Sequence, residues 1–262
     1  MTVLEALVLG IVQGATEFLP VSSSGHLALA QKVMGVSLPG ITFEVVVHVA
    51  TLLSVTVVYR ARLMDLARGA LVLRDPESWR YVLLLALATA PAAVVGVLFG
   101  DAVEAAFESP AIVAVALLFT GAMLYSSRWA LARKSSKEIT FVMAVLIGLA
   151  QCVALVPGVS RSGSTVVAAL WLGVPPVEAA AFSFLMSIPA IGGAAVLQLP
   201  DLAEGGAAIP AGPLLLGFLA ASVVGVLAIR VFVRMLRDRS FPAFAWYCWA
   251  VGLLFLGWLR FA

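Results

Sequence analysis

The sequence predicts an all-α polytopic membrane protein: six transmembrane helices, two re-entrant broken-helix hairpins and an inverted-topology internal repeat. Three observations lead there. Of 262 residues, 63% are hydrophobic and only 11% charged, with a mean hydropathy of +1.10, whereas soluble domains carry about 25% charged residues. Six apolar runs reach the roughly 20 residues that a membrane span requires, and two further apolar stretches are broken near their middles by Pro, Ser and Gly. Those two stretches echo one another, and the basic residues concentrate in alternate loops.

The first element, residues 2–35, is a broken one: FLPVSSSGH interrupts it after Phe18. A helix to about Phe18, a loop through LPVSSSG and a second half-helix from about His26 are expected, because Pro20 cannot continue a helix and Gly25 supplies backbone freedom. Full spans follow at Ile41–Tyr59, Tyr81–Gly100 and Ala111–Leu131. The second broken stretch, 139–174, is interrupted by LVPGVSRSGS and is followed by spans at Val177–Leu199, Leu214–Arg234 and Phe241–Leu259. No basic leader with a small-residue cleavage site precedes the first apolar run, so no removable signal peptide is expected. Cys152 and Cys248 lie in apolar segments and read as buried reduced thiols.

At an offset of 138 residues Gly10 falls on Gly148, Gln13 on Gln151, Val21 on Val159, Ser22 on Ser160, Ser24 on Ser162 and Gly25 on Gly163. TFEVVVHVATLL (42–53) matches AFSFLMSIPAIG (181–192) in outline, and VVGVL recurs at 94–98 and 223–227. The chain therefore divides into repeat one (1–134) and repeat two (138–262) within a single membrane domain. Each repeat holds one broken segment and three spans. If each broken segment returns to the side it entered from, three crossings leave the halves upside down relative to each other.

Charge placement agrees. Arg60, Arg62, Arg68, Arg74 and Arg80, then Arg128, Arg133, Lys134 and Lys137, then Arg230, Arg234, Arg237 and Arg239 make up thirteen of the 16 Lys and Arg. The alternate loops carry Asp101, Glu104 and Glu108, then Asp201 and Glu204, and no Lys or Arg. The positive-inside rule assigns the basic loops to the cytoplasm. Both termini and the first broken segment then face outward, and the second broken segment enters from the cytoplasm. The net charge of +2 gives no footprint for nucleic acid, and none is expected as a partner.

Non-helical backbone at membrane depth survives only where protein or a watered cavity surrounds it. Paired broken helices in corresponding halves point to a central binding site. Each second half-helix opens just after Ser and Gly, so free N–H groups and the positive dipole end favour an anion there. Arg161 adds a planar donor fork suited to phosphate, and an intramembrane arginine is a functional-site hypothesis by default. Ser22, Ser24, Ser160 and Ser162 read either as helix caps or as ligand donors; Gly163, like Gly25, suits a tight turn. Glu17 and His26 read as a buried pair or as groups converging on one anion. Glu44 and His48 share a helix face at i, i+4 that lines a site or joins the bundle. Glu178 suits an N-terminal helix acid, and Gln13 and Gln151 suit an interhelical hydrogen bond or a ligand contact.

Two classes of function take such a site. One is an enzyme acting on a lipid phosphate or diphosphate, with a hydroxyl or imidazole attacking phosphorus and Arg161 with backbone N–H groups holding the developing charge. The other is a transporter or flippase for a polyprenyl-phosphate lipid, using inverted repeats for alternating access. The nucleophile-type residues favour the enzyme.

At these residues the sequence resembles the bacterial undecaprenyl-diphosphate phosphatases of the bacitracin-resistance type. Their motifs have the forms EGxTEFLPVSSTGH and PGxSRSG; here they read QGATEFLPVSSSGH (13–26) and PGVSRSG (157–163), with TFEVVVH (42–48) and FSFLMSIP (182–189) also matching. The resemblance covers essentially the whole chain. It implies hydrolysis of the C55 polyprenyl diphosphate to the monophosphate at the outer face of the plasma membrane, recycling the lipid carrier for peptidoglycan, and an interdigitated inverted-repeat fold.

Carried onto this chain, the motifs imply Glu17, Ser23, His26 and Arg161 as catalytic. Ser23 is expected to attack, with His26 as its base or as the rival nucleophile. Gln13, Ser22, Ser24, Gly25, Ser160, Ser162 and Gly163 are expected around the phosphates. Glu17 orients the histidine or helps hold a divalent cation such as Mg²⁺ or Ca²⁺. Ser24 replaces the family's usual threonine and keeps its hydroxyl. Gln13 replaces the family's first glutamate, which removes a negative charge beside a polyanion site and weakens the metal role. The partners expected are the polyprenyl diphosphate, membrane lipids and, left open, a second copy of the chain.

Overall fold

The computed structural model describes residues 1–36, 41–107, 109–199 and 209–260. The expected acidic loop residues Glu108, Asp201 and Glu204 lie outside them. Among the described residues helices are the only regular secondary structure. α1 (Val3–Phe18) and α2 (Ser23–Met34) form the first broken element; α3 (Thr42–Val58), α4 (Arg60–Ala67), α5 (Pro76–Leu98), α6 (Gly100–Phe107) and α7 (Pro110–Ala132) follow. The second half begins with α8 (Phe141–Val153) and α9 (Arg161–Trp171), then α10 (Pro176–Leu197), α11 (Ala211–Arg237) and α12 (Phe244–Leu259), the last entered through a 3₁₀ turn at Phe241–Ala243.

Five helical segments among the described residues are long and apolar enough to cross a membrane: α5, α7, α10, α11 and α12 with its leading turn. The sixth expected span is α3, of 17 residues, which reaches span length only with the segment after it, bent away by 80°. The bend follows from polarity: Arg60, Arg62 and Asp65 open α4 and favour the surface. α5 starts five residues before the expected Tyr81, because Asp75 caps Glu77 and Ser78 and Pro76 takes the first helical position.

Both breaks occur where expected, and the residues explain the details. α1 stops at Phe18, two residues before Pro20. α2 starts at Ser23 rather than near His26, because the Ser22 hydroxyl accepts from Gly25 N–H and caps the turn three residues earlier. At the second break Ser160 plays the same part for Gly163, 3.1 Å away, and α9 starts at Arg161.

The halves pack reciprocally. α1 lies along α11, and α8 along α5. An ideal Cβ at Gly10 would stand 2.5 Å from the Gly217 carbonyl oxygen, and one at Gly148 would stand 2.5 Å from the Ala88 oxygen. Gly10 and Gly148 correspond at the 138-residue offset, and Ala88 and Gly217 correspond at the VVGVL offset of 129. Small residues at these contacts let backbones touch, which is how helices associate where lipid removes the hydrophobic incentive. Buried aromatic rings close the core below the first break: Phe184 contacts Phe18 edge-on at 5.5 Å and Phe232 at 5.0 Å. Phe18 follows Glu17, so this packing fixes the end of α1 that carries the site.

Candidate active site

The two breaks are stitched to each other. Besides capping α2, the Ser22 hydroxyl accepts from Gly158 N–H at 3.1 Å, across 136 residues of sequence. On α7, Thr120 donates to the Gly158 carbonyl at 2.9 Å and accepts from Ser160 N–H at 3.2 Å. Ser22 sits at φ 70°, ψ 101°, whereas its counterpart Ser160 is relaxed at φ −77°. A non-glycine residue held at such positive φ stores on the order of 1–3 kcal/mol of strain. Only the first loop stores it.

Corresponding first residues of the two half-helices converge on one carboxylate. Ser23 opens α2 and Arg161 opens α9. Ser23 Oγ donates to Glu17 Oε2 at 2.6 Å, and Arg161 Nη2 donates to Oε1 at 2.7 Å. Gln13, one turn earlier on α1, donates through Nε2 to Oε2 at 3.1 Å. Glu17 is buried, at 7% exposure. Burial alone disfavours its charge, but a guanidinium and two neutral donors compensate. At the 138-residue offset Glu17 falls on Leu155, so the second broken segment has no carboxylate there.

The two histidines divide differently from expectation. His26 Nδ1 lies 2.9 Å from the Ser22 carbonyl oxygen, which can only accept, so Nδ1 carries the hydrogen. In the neutral ring Nε2 then accepts from Tyr247 O–H at 2.9 Å, with the rings stacked at 5.6 Å. His26 is thus held between a backbone carbonyl and Tyr247 rather than on Ser23 or Glu17. His48 donates from Nδ1 to the Glu44 carbonyl at 2.7 Å and presents Nε2 to Glu17 at 3.7 Å. The Glu44 carboxylate turns instead to Gln31, which donates to it at 3.1 Å.

Ser22 and Ser160 commit their hydroxyls to the caps, and Ser24 and Ser162 each lie 3.3 Å from the capping oxygen of their own loop. Gly25 and Gly163 give their N–H groups to the caps. The N–H groups of Ser23 and Ser24 belong to the first turn of α2, where no intrahelical acceptor exists. Two atoms at the centre are buried without a partner: Arg161 Nη1 and Gln13 Oε1. Gln151, the counterpart of Gln13, is buried with both amide atoms unpartnered. Glu178 does more than open α10. It takes two hydrogen bonds from Arg62, at 2.7 and 2.6 Å, and one from Tyr81 at 3.0 Å.

Sequence reasoning missed Tyr247 and Thr120. Neither lies in a broken segment, and a Tyr or Thr inside a span carries no signal until packing brings it to a loop. Among the described residues no cluster of three or more His, Cys, Asp and Glu has metal-binding geometry. The donors on offer to a cation are the Glu17 carboxylate and the partnerless Gln13 carbonyl beside it.

An all-helical, multi-pass membrane protein with a buried serine–carboxylate–guanidinium centre between two broken helices is the class that fold and site define. The chain belongs to the family described as Bacitracin resistance protein BacA, which it matches over residues 6–254. It is 46% identical to an undecaprenyl-diphosphatase of Rubrobacter xylanophilus, with 97% of each chain covered. It is 35% identical to an undecaprenyl-diphosphatase of Methanosphaera stadtmanae, again with 97% of each covered. A third relative, undecaprenyl-diphosphatase 1 of Shouchella clausii, is 37% identical over 97% of this chain and 95% of its own.

Proposed function

We propose that the chain hydrolyses undecaprenyl diphosphate to undecaprenyl phosphate and inorganic phosphate, as a hydrolase of phosphorus-containing anhydrides. The observation that carries this reading is the Ser23–Glu17–Arg161 line, with Arg161 Nη1 buried and unpartnered at its end. A buried unpaired guanidinium nitrogen is costly, and a phosphate oxygen relieves that cost. The names of the three relatives supply the substrate.

In the step this geometry supports, Ser23 Oγ attacks the terminal phosphorus while Glu17 Oε2 takes its proton. The bond from that phosphorus to the bridging oxygen breaks, and undecaprenyl phosphate leaves. Water then cleaves the phosphoserine, releasing inorganic phosphate and restoring Ser23. Arg161 and the open N–H groups of α2 stabilise the charge developing on the equatorial oxygens. Ser22, Ser24, Ser160, Ser162, Gly25 and Gly163 shape the phosphate cradle, and Gln13 holds Glu17 in place. His26, held between the Ser22 carbonyl and the half-exposed Tyr247, binds the second phosphate once its Nε2 is protonated, and that added proton is the one it can pass to the leaving oxygen. A divalent cation would be held by Glu17 and the Gln13 carbonyl together with diphosphate oxygens, as Mg²⁺ sites commonly combine few protein ligands with substrate phosphates. It would neutralise part of the diphosphate charge.

The broken helices are read as re-entrant hairpins and the halves as inverted repeats, supported by the reciprocal Gly10 and Gly148 contacts. Charge asymmetry supports a plasma-membrane protein with its site toward the outside. The test is phosphate release from undecaprenyl diphosphate by purified protein, with Ser23→Ala, His26→Ala and Arg161→Ala beside it. No release by wild type, with or without divalent cations, would overturn the proposal. Lipid flipping in vesicles without phosphate release would replace it with transport.

A further inference from the structure

Well away from Glu17, a cavity of about 730 Å³ opens between the ends of α3, α10 and α11. Its walls mix apolar and basic side chains: Val58, Tyr59 and Val177 on one side, Arg230, Arg234 and Arg237 on the other. Ten residues of α3 separate Val58 from His48 at the candidate active site, roughly 15 Å of helix. The cavity is therefore a separate place.

Its arginines follow a pattern. Arg230, Arg234 and Arg237 recur at i, i+4 and i+7, so they share one face of α11. Toward the N-terminus that face continues as an exposed apolar stripe through Leu219, Val223 and Leu227, which are 48%, 61% and 54% exposed. An apolar strip leading into a cationic cluster matches an acyl chain leading into a phosphate. The charges are also free. Among the described residues none of the three arginines has a carboxylate within 4 Å, not even Asp238 at the rim, whereas nearby Arg62 is tied to Glu178 at 2.6 Å. Basic pockets between transmembrane helices suit anionic headgroups, and arginine forks suit phosphate oxygens in particular.

We infer that this cavity binds the phosphate headgroup of an anionic membrane phospholipid, with an acyl chain lying along the Leu219–Val223–Leu227 stripe. Arg230, Arg234 and Arg237 hold the phosphate, and Val58, Tyr59 and Val177 bound the glycerol region. The site is independent of the hydrolytic centre and is not a route to it.

Native mass spectrometry of the full chain in detergent tests this. Phosphatidylglycerol and phosphatidylcholine with identical chains are titrated separately, with and without millimolar inorganic phosphate. Phosphatidylglycerol is expected to bind at least tenfold more tightly than phosphatidylcholine, and free phosphate is expected not to displace it. The R230Q/R234Q/R237Q variant is expected to bind both lipids alike. Should that variant fail to fold, Arg234→Gln alone is expected to narrow the preference at least threefold. Equal binding of the two lipids by wild type, displacement by free phosphate, or an unchanged preference in the variant that folds would each overturn the assignment. Hydrolysis measured on the same samples separates this outcome from failure of the proposed activity, because none of the three arginines touches the catalytic groups.

Discussion

Ser23 and Arg161 each open the helix that follows a break, yet one is a hydroxyl and the other a permanent cation. Glu17 joins them, and three predictions rest on that junction. Ser23→Ala removes the attacking oxygen and should cut phosphate release by about a thousandfold or more, measured as single-turnover rate. Arg161→Ala removes a buried donor aimed at developing charge and should cost about 10²–10³ in kcat. Gln13→Glu sets a second carboxylate where an amide now donates to Glu17 at 3.1 Å. Like charges that close need a cation or a shared proton. The variant should therefore bind Mg²⁺ at least about tenfold more tightly than wild type, read by titrating activity against the metal; an unchanged Mg²⁺ dependence would count against a cation beside Glu17. At the half-exposed end of the site, Tyr247→Phe deletes one hydrogen bond to His26, worth about 0.5–1.5 kcal/mol. A threefold to tenfold fall in kcat should follow, and no change would leave Tyr247 a packing residue.

At the scale of elements, the breaks matter more than the spans. The second half-helix of each break is capped by a serine of its own loop; Ser22 ties the first loop to the second, and Thr120 ties the second loop to α7. The helices that carry the breaks are held by backbone-close contacts. Gly10→Leu would drive a side chain into Gly217, and Gly148→Leu would drive one into Ala88. Overpacking of this kind costs about 1–3 kcal/mol, so both variants should lower the thermal unfolding midpoint in detergent by several degrees. Gly96→Leu, which meets nothing within 4 Å, should leave it unchanged and serves as the control.

For the whole molecule, the pairing of α1 with α11 and of α8 with α5 packs each broken helix against a helix from the other half of the chain. The Arg62–Glu178–Tyr81 group ties α4 and α5 to α10. Its ion pair is about a third exposed, which limits its worth to about 1 kcal/mol. Arg62→Ala should therefore lower the midpoint only slightly and leave hydrolysis intact. Cysteine accessibility offers the test of orientation: single cysteines at Arg74 and Arg239 should label from the cytoplasmic side, and one at Asp101 from the opposite side.

The membrane class, the span positions to within a few residues and the residues of both breaks are legible in the sequence alone. Hydropathy, proline and serine placement and charge bias are local or periodic, and each is readable one residue at a time. The sequence also placed Glu17, Ser23 and Arg161 at one site, because their motifs flank breaks that must face each other. Tertiary structure decided who touches whom. His26 turns to Tyr247 while His48, on a different helix, faces Glu17; and Ser22 spends its hydroxyl on Gly158 across the molecule. Those pairings depend on α3 packing on α1 and on α2, α9 and α12 each packing against α7, a long-range geometry that no spacing along the chain encodes.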